Sequence, residues 1–258
     1  MVTLKDYKPS PPKILILGPM GTGKTLLATT LGPRALLLDL NNGLSSARKF
    51  KDKFTEDRLQ CDVKCCWDVT TPAAMWQKTL GYVTEFCRKP THEVLVIDGL
   101  TDLAEAALGC ILQAAGKWDE ANVDKIVQAD WGNAIMLVRR MFYRLKIVAA
   151  AVVVLGHTKL VTIGSGRDAV DQERISIYGK NLGGDIEALM DEVWYTKVMG
   201  GGASKKFMLQ TVTSGGVQSK TRLQLPDATD MNLGLPKILE MIGWSGVPVT
   251  AVPPAPTK

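Results

Sequence analysis

The sequence predicts an α/β fold, a mostly parallel central sheet flanked by helices, with an antiparallel extension near residues 190–225. Apolar runs at residues 14–17, 34–40, 93–98 and 152–156 are almost unbroken, as in strands covered on both faces. Segments with helical spacing lie between several of them, the alternation that produces parallel strands joined by crossovers. The first run leads straight into a glycine loop and a helix-like stretch, the strand–loop–helix unit of a phosphate-binding site.

Taken in order, residues 1–12 form a lead-in, with Pro9, Pro11 and Pro12 favouring extended chain. The strand at 14–17 follows, then the loop and its helix. The strand at 34–40 ends in Asn41-Asn42-Gly43, a turn signal. A charged segment at 45–58 precedes a short strand near 62–67. Pro72 opens a helix to about residue 89, with Trp76, Leu80, Val83 and Cys87 on one face. The strand at 93–98 ends on an acid, and helices are expected over 101–116 and 128–147 before the strand that ends in Gly156-His157-Thr158. Residues 161–184, rich in glycine, serine and charge, read as a mobile loop. Period-two alternation predicts strands at 191–197, 206–212 and 219–225, then a short helix at 235–242. One domain, 13–245, is expected, followed by a Pro-rich tail at 246–258 whose composition reads as disordered.

With 258 residues, 46% hydrophobic and 22% charged, the chain is long enough for a substantial core and ordinary in composition. A net charge of +5 permits a nucleic-acid partner without arguing strongly for one. The N-terminal residues lack the apolar core of a secretion signal, and the longest apolar run, 147–155, is about half a membrane span. A cytoplasmic protein with no membrane partner is the expectation. Cys61, Cys65, Cys66, Cys87 and Cys110 fit that compartment as reduced, mostly buried thiols. Cys61-x3-Cys65-Cys66 has no C-x2-C pair or nearby histidine to complete a zinc set.

The chemistry centres on Gly18-Pro19-Met20-Gly21-Thr22-Gly23-Lys24-Thr25, a full match to G-x-x-x-x-G-K-[ST], with Leu26 beginning the helical stretch. Glycines let backbone N–H groups curl around phosphates. Lys24 is placed to reach the outer phosphates and Thr25 to ligate Mg2+ through its hydroxyl. Asp98 ends a buried strand downstream of this loop, where a carboxylate holds magnesium through water; the competing reading is a cap for the following helix, a role Asp102 can share. Hydrolysis also needs a group that orients water, and Asp39 and Asn41, two apart at the end of the second strand, share a direction. Asn41 can orient a water but cannot take its proton; the competing reading of both is a strand-ending turn. His157 sits where a side chain can sense the terminal phosphate, or serve as a structural histidine. Lys220 and Arg222 project from one face of a late strand and fit phosphate oxygens in a neighbouring subunit, or a solvated basic face. Arg167, Lys180, Lys205, Lys206, Arg139, Arg140 and Arg144 are candidate phosphate contacts to nucleic acid, although stacking aromatics are sparse, with Tyr178 alone in residues 161–184.

With these residues in place, the chain resembles the RecA-core ATPases. Within them it is similar to the phage-encoded ATP-binding proteins of AAA type that include RecA-core single-strand annealing proteins. The likeness runs over about residues 10–245 and rests on GPMGTGKT, LLLDLNNG, VLVIDGLTDL, VVVLGHTKL, Tyr178-Gly-Lys180, Asp191-Glu-Val-Trp and Ser219-Lys-Thr-Arg222. It implies a RecA-like fold, ATP and Mg2+ as ligands, and self-association into a ring or filament with Lys220 and Arg222 acting across the interface. It also implies action on single-stranded DNA in recombination, annealing or replication, in a host bacterial cytoplasm if the chain is phage-encoded. The family carries a glutamate in the turn after the second strand, where Asn41 stands here, which implies slow hydrolysis unless Asp39 substitutes. A nucleotide-switched loader or scaffold for replication or recombination proteins is the alternative. A small-molecule kinase is a weaker third, for want of a lid or acceptor site in the sequence.

Overall fold

The structure, a computed structural model, describes residues 10–44, 60–67, 71–119, 125–164, 169–179, 181–213, 216–217, 219–223 and 225–246. Most of the lead-in, the charged segment at 45–58, Arg167, Lys180 and the tail from residue 247 lie outside the described residues.

β1 (Lys13–Gly18), β2 (Ala35–Asp39), β3 (Asp62–Cys65), β4 (Val94–Asp98), β5 (Ala151–Ile163) and β7 (Glu192–Met199) form the parallel part of the sheet. β8 (Lys206–Gln210) and β9 (Ala228–Asp230) continue it antiparallel, so the order is β3-β2-β4-β5-β1-β7-β8-β9. This is the mostly parallel sheet with an antiparallel C-terminal extension that the sequence predicts.

Strand alternation explains the two cores. Leu15, Leu17, Leu36, Leu38, Leu95, Ile97, Val152 and Val154 face one side. There they pack under α2 (Pro72–Arg88), α3 (Leu100–Ala114), α4 (Gln128–Ile147) and α5 (Leu182–Leu189). Ile14, Ile16, Leu37, Val94, Val96, Val153 and Trp194 face the other side, against α1 (Lys24–Thr29) and α6 (Leu235–Met241). Because both faces are covered, the strand residues are apolar at consecutive positions, and the fold class was readable from the apolar runs. Thr71 caps α2 by accepting from Ala74 N, with Pro72 in its first turn. The expected bounds of α2, α3, α4 and α6 hold to within a residue or two.

Two segments differ from expectation. Residues 161–184 are not all loop: β5 runs on to Ile163 and pairs antiparallel with β6 (Val170–Ile175), and α5 follows. The outer half of this hairpin is exposed on both sides, so its side chains are polar or mixed and carry no core-facing alternation. The Gly183-Gly184 pair lowers the helical propensity of α5, which is held instead by Leu182 and Ile186 in the core. Among the described residues of 219–225 there is one bridge, Val193 to Lys220, in place of a strand; the third antiparallel strand is β9. Of the five cysteines only Cys66 is fully buried, and Cys65 is exposed.

Among the described residues, no helix is long and apolar enough to cross a membrane.

Candidate functional site

β1 delivers its chain to the C-terminal edge of the sheet, and the loop turns there through glycines. Gly18, Gly21 and Gly23 have φ of 151°, 75° and 85°, values a side chain resists. At Gly18 there is a second constraint: a Cβ would collide with the Thr196 hydroxyl from β7. Thr196 Oγ1 donates to Leu17 O at 3.1 Å and shares a 2.5 Å hydrogen bond with Thr22 Oγ1, while Thr22 Oγ1 also lies 2.8 Å from Pro19 O. The loop is therefore anchored from behind, with Pro19, Met20 and Gly21 left exposed and Leu26 half-buried. Phe207 and Met231 pack against Gly23 from the antiparallel extension.

Lys24 is buried and its ammonium donates to Gly18 O and Pro19 O, both at 2.8 Å. Burial holds its pKa down to about 8, against the opposing pull of Asp98 and Glu173. Thr25 Oγ1 donates to Asp98 Oδ2 at 2.7 Å, tying the loop helix to the end of β4. Asp98 is 3% exposed, and burial lifts its carboxyl to about 6, with Asp39 reinforcing the rise and Thr25 and Lys24 resisting it. Asp39 lies directly across from Asp98 in the β2–β4 pairing, also buried. Asp98 does not cap α3: Gly99 does, at φ 118°, with no side-chain cap bond. Asp102 packs against Gly99 and is itself raised to about 6 by burial.

Asp39 and Asn41 shape the turn after β2. Asp39 Oδ1 accepts from Asn41 N at 3.3 Å and Gly43 N at 3.1 Å, and Asn41 Oδ1 accepts from Gly43 N at 2.8 Å. The turn brings Gly43 beside Asp98 Oδ2 and Thr25 Oγ1. His157 pairs with Gly18 across β5 and β1, so it stands beside the loop. Its Nδ1 is buried with no hydrogen-bond partner among the described residues, and burial, with Lys24 nearby, lowers its pKa. The ring is a neutral group with an unfilled polar atom at the loop.

Thr25, Asp98 and Asp39 thus offer a set of hard oxygen donors beside a glycine cradle and an ammonium. Among the described residues no cluster of three or more His, Cys, Asp or Glu side chains is arranged for a metal. That composition fits magnesium, which protein sites hold through one or two carboxylates, with phosphate and water oxygens completing the octahedron. It also fits a polyphosphate, because loop N–H groups and Lys24 are the only ligands such a group needs.

Lys220 and Arg222 lie elsewhere. β1 and β7 run parallel, and both cations sit near the start of β7, at the opposite end of β1 from the loop. Lys220 Nζ donates to the carbonyls of Glu187, Ala188 and Met190, closing the C-terminal end of α5. The Arg222 side chain is 57% exposed and reaches Asp191 at 3.4 Å, while its backbone N donates to Glu192 Oε1. Within one chain neither cation meets the phosphate loop.

Sequence reasoning missed Thr196, Gly43 and Glu173. Glu173 accepts from Thr158 Oγ1 at 3.0 Å and lines a cavity of about 400 Å³ with Pro19, Thr22, Tyr195 and Thr196. No local signal marks Thr196 or Glu173, because sheet order, not spacing along the chain, brings them to the loop, whereas Gly43 arrives through the turn that Asn41-Asn42-Gly43 signals.

A profile of the family described as "AAA domain" matches residues 10–223. No curated protein matches the chain. Among solved structures, the KaiC-like protein from hyperthermophilic archaea Pyrococcus horikoshii OT3 is similar at 11% identity, with a TM-score of 0.47, over 88% of this chain and 92% of that one.

Proposed function

The chain belongs to the AAA domain family of P-loop ATPases, and from that premise we propose that it binds Mg-ATP, hydrolyses it slowly and acts on single-stranded DNA in phage-type recombination, annealing or replication. One observation carries the nucleotide part: the 2.7 Å bond from Thr25 to Asp98, beside a buried Lys24. Loop N–H groups, Lys24 and Leu26 N–H would hold the phosphates, and Thr25 and, through water, Asp98 would hold magnesium. When bound, magnesium would supply neutralisation of phosphate charge and polarisation of the bond to be broken. Asp39 and Asn41 sit on the metal side, engaged in their own turn, which supports slow turnover. His157 senses the terminal phosphate through its open Nδ1.

The DNA part draws on the hairpin beside the loop. Lys159 and Arg174 pair across β5 and β6 and line a cavity of about 850 Å³ with Tyr178, whose ring meets Trp131 edge-on at 5.1 Å. Cations with aromatic faces are what a single strand needs. Lys220 and Arg222 fit a ring or filament in which a neighbour completes the site, Arg222 being the cation still available for that contact.

ATP binding and phosphate release, measured with and without single-stranded DNA, test the reading; Lys24→Ala abolishes both activities if it is right. A Lys24→Ala protein that binds ATP as tightly as the parent overturns it. The loader or scaffold alternative has one observation in its favour: Leu160, Ile163 and Val170 are exposed on the hairpin, apolar contacts suited to a protein partner. Absence of any salt-dependent retention on oligonucleotide favours that alternative.

A further inference from the structure

We propose that Glu173 is the carboxylate that orients the attacking water at the terminal-phosphate end of the loop, in place of the residues after β2; this rests on the ATPase reading above.

The sequence offers Asp39 and Asn41 for that task, but the fold commits both to the turn on the metal side. The loop lysine feels two carboxylates, Asp98 and Glu173. Asp98 is tied to Thr25 and belongs to the metal side. Glu173 comes from a different element, β6, and faces the loop across the cavity it shares with Pro19, Thr22 and Thr196. Strand alternation explains the facing: Arg174, next along β6, lines the large cavity on the far side of the hairpin, so Glu173 turns toward the loop.

Its position is fixed at three points. Leu160 of β5 pairs with it, its backbone N–H donates to Gly216 O at 3.1 Å, and Thr158 Oγ1 donates to Oε2 at 3.0 Å. That leaves Oε1 for a water. Thr22 and Thr196 line the cavity with it, as does Tyr195, whose buried hydroxyl has no partner among the described residues. A volume of about 400 Å³ has room for waters next to the carboxylate.

The step balances without a further reagent. Water oxygen forms a bond to the terminal phosphorus, and the bond from that phosphorus to the bridging oxygen breaks, its electron pair leaving with ADP. The water proton passes to Glu173 and from it to solvent. Lys24, which feels both Asp98 and Glu173, offsets charge on the phosphoryl group.

Glu173→Gln keeps the shape and the acceptor for Thr158 but cannot take the proton. The expected result is ATP affinity within about twofold of the parent, single-turnover hydrolysis slower by about 100-fold, and bound nucleotide recovered as ATP. Affinity for ADP with aluminium fluoride, which mimics the attacked phosphoryl group, falls at least tenfold relative to a non-hydrolysable ATP analogue. A merely structural role for Glu173 shifts both affinities together. Asp171→Asn, two residues away on β6 and exposed, is the charge control and keeps the parental rate. Parental hydrolysis in Glu173→Gln overturns the inference and leaves the ATPase reading intact. A parent protein that binds ATP and releases no phosphate overturns the hydrolysis reading and this inference together.

Discussion

Thr25 Oγ1 donates to Asp98 Oδ2 at 2.7 Å, between two elements separated by most of the sheet's first half in sequence. Burial raises the Asp98 carboxyl from its ordinary 3.8 to about 6. A carboxyl raised on folding stabilises the protein fully below its unfolded value and loses that contribution as pH rises through its folded value. Asp98 therefore costs the nucleotide-free protein about 2 kcal/mol at pH 8 relative to pH 4. Asp98→Asn should unfold at a higher urea midpoint than the parent at pH 8 and lose magnesium-dependent nucleotide affinity. Asp102 is raised in the same way, so the variant flattens the stability profile between pH 4 and 6 only in part. An unchanged midpoint at pH 8 would place Asp98 in a wetter site than the one described.

Gly18 and Thr196 form a matched pair, because the missing Cβ of one leaves space for the hydroxyl of the other. Gly18→Ala adds both a collision and an unfavourable φ, and should cost about 2–4 kcal/mol of stability along with nucleotide binding. Thr196→Val keeps the volume and removes the hydroxyl that bonds Thr22 Oγ1 and Leu17 O. Loss of these two buried hydrogen bonds predicts ATP binding weaker by about fivefold to tenfold, with the melting temperature lowered by several degrees. Calorimetric titration and thermal melts of the two variants check both.

The sheet and half of the site were legible for one physical reason each. Runs such as 94–97 are apolar at every position because helices cover both faces, and the glycine–lysine loop is local, so its whole pattern lies within a few residues. Asp98 was legible jointly, as an acid ending a buried strand. What the sequence did not reveal depends on sheet order. Thr196 reaches the loop because β7 lies beside β1, and Glu173 because β6 folds back on β5, neither of which spacing encodes. Lys220 looked like a strand cation, but its ammonium closes α5 in three dimensions.

That placement separates two roles for the late cations. Lys220→Ala removes donors to the end of α5 and should lower stability by about 1–2 kcal/mol, a melting shift of a few degrees, in the nucleotide-free monomer. Arg222→Ala, with its side chain more than half exposed, should leave that melting temperature alone. If Arg222 acts on a neighbour's nucleotide, Arg222→Ala loses ATPase activity, and an equal mixture with Lys24→Ala recovers about a quarter of the sites by chance pairing in a head-to-tail assembly. Strictly additive rates on mixing would confine Arg222 to its own chain's Asp191.

Lys159 provides the sharpest test of where a single strand lies. It is exposed on the hairpin, pairs with Arg174 across the strands, and borders both the cavity of about 850 Å³ and a second of about 410 Å³ that contains Trp131. A lysine that contacts one phosphate contributes a salt-dependent term with no sequence preference. Lys159→Ala should weaken binding to any oligonucleotide and reduce the slope of log affinity against log salt by about 0.7, the value for one phosphate on a single strand. Trp131→Ala should weaken binding by about 1–3 kcal/mol while leaving that slope unchanged, since stacking releases no counterions. The pair of slopes, measured by fluorescence anisotropy between low and physiological salt, distinguishes a strand lying in this groove from one held elsewhere. In the second case both variants bind like the parent, while ATP binding at Lys24 is the same in all of them.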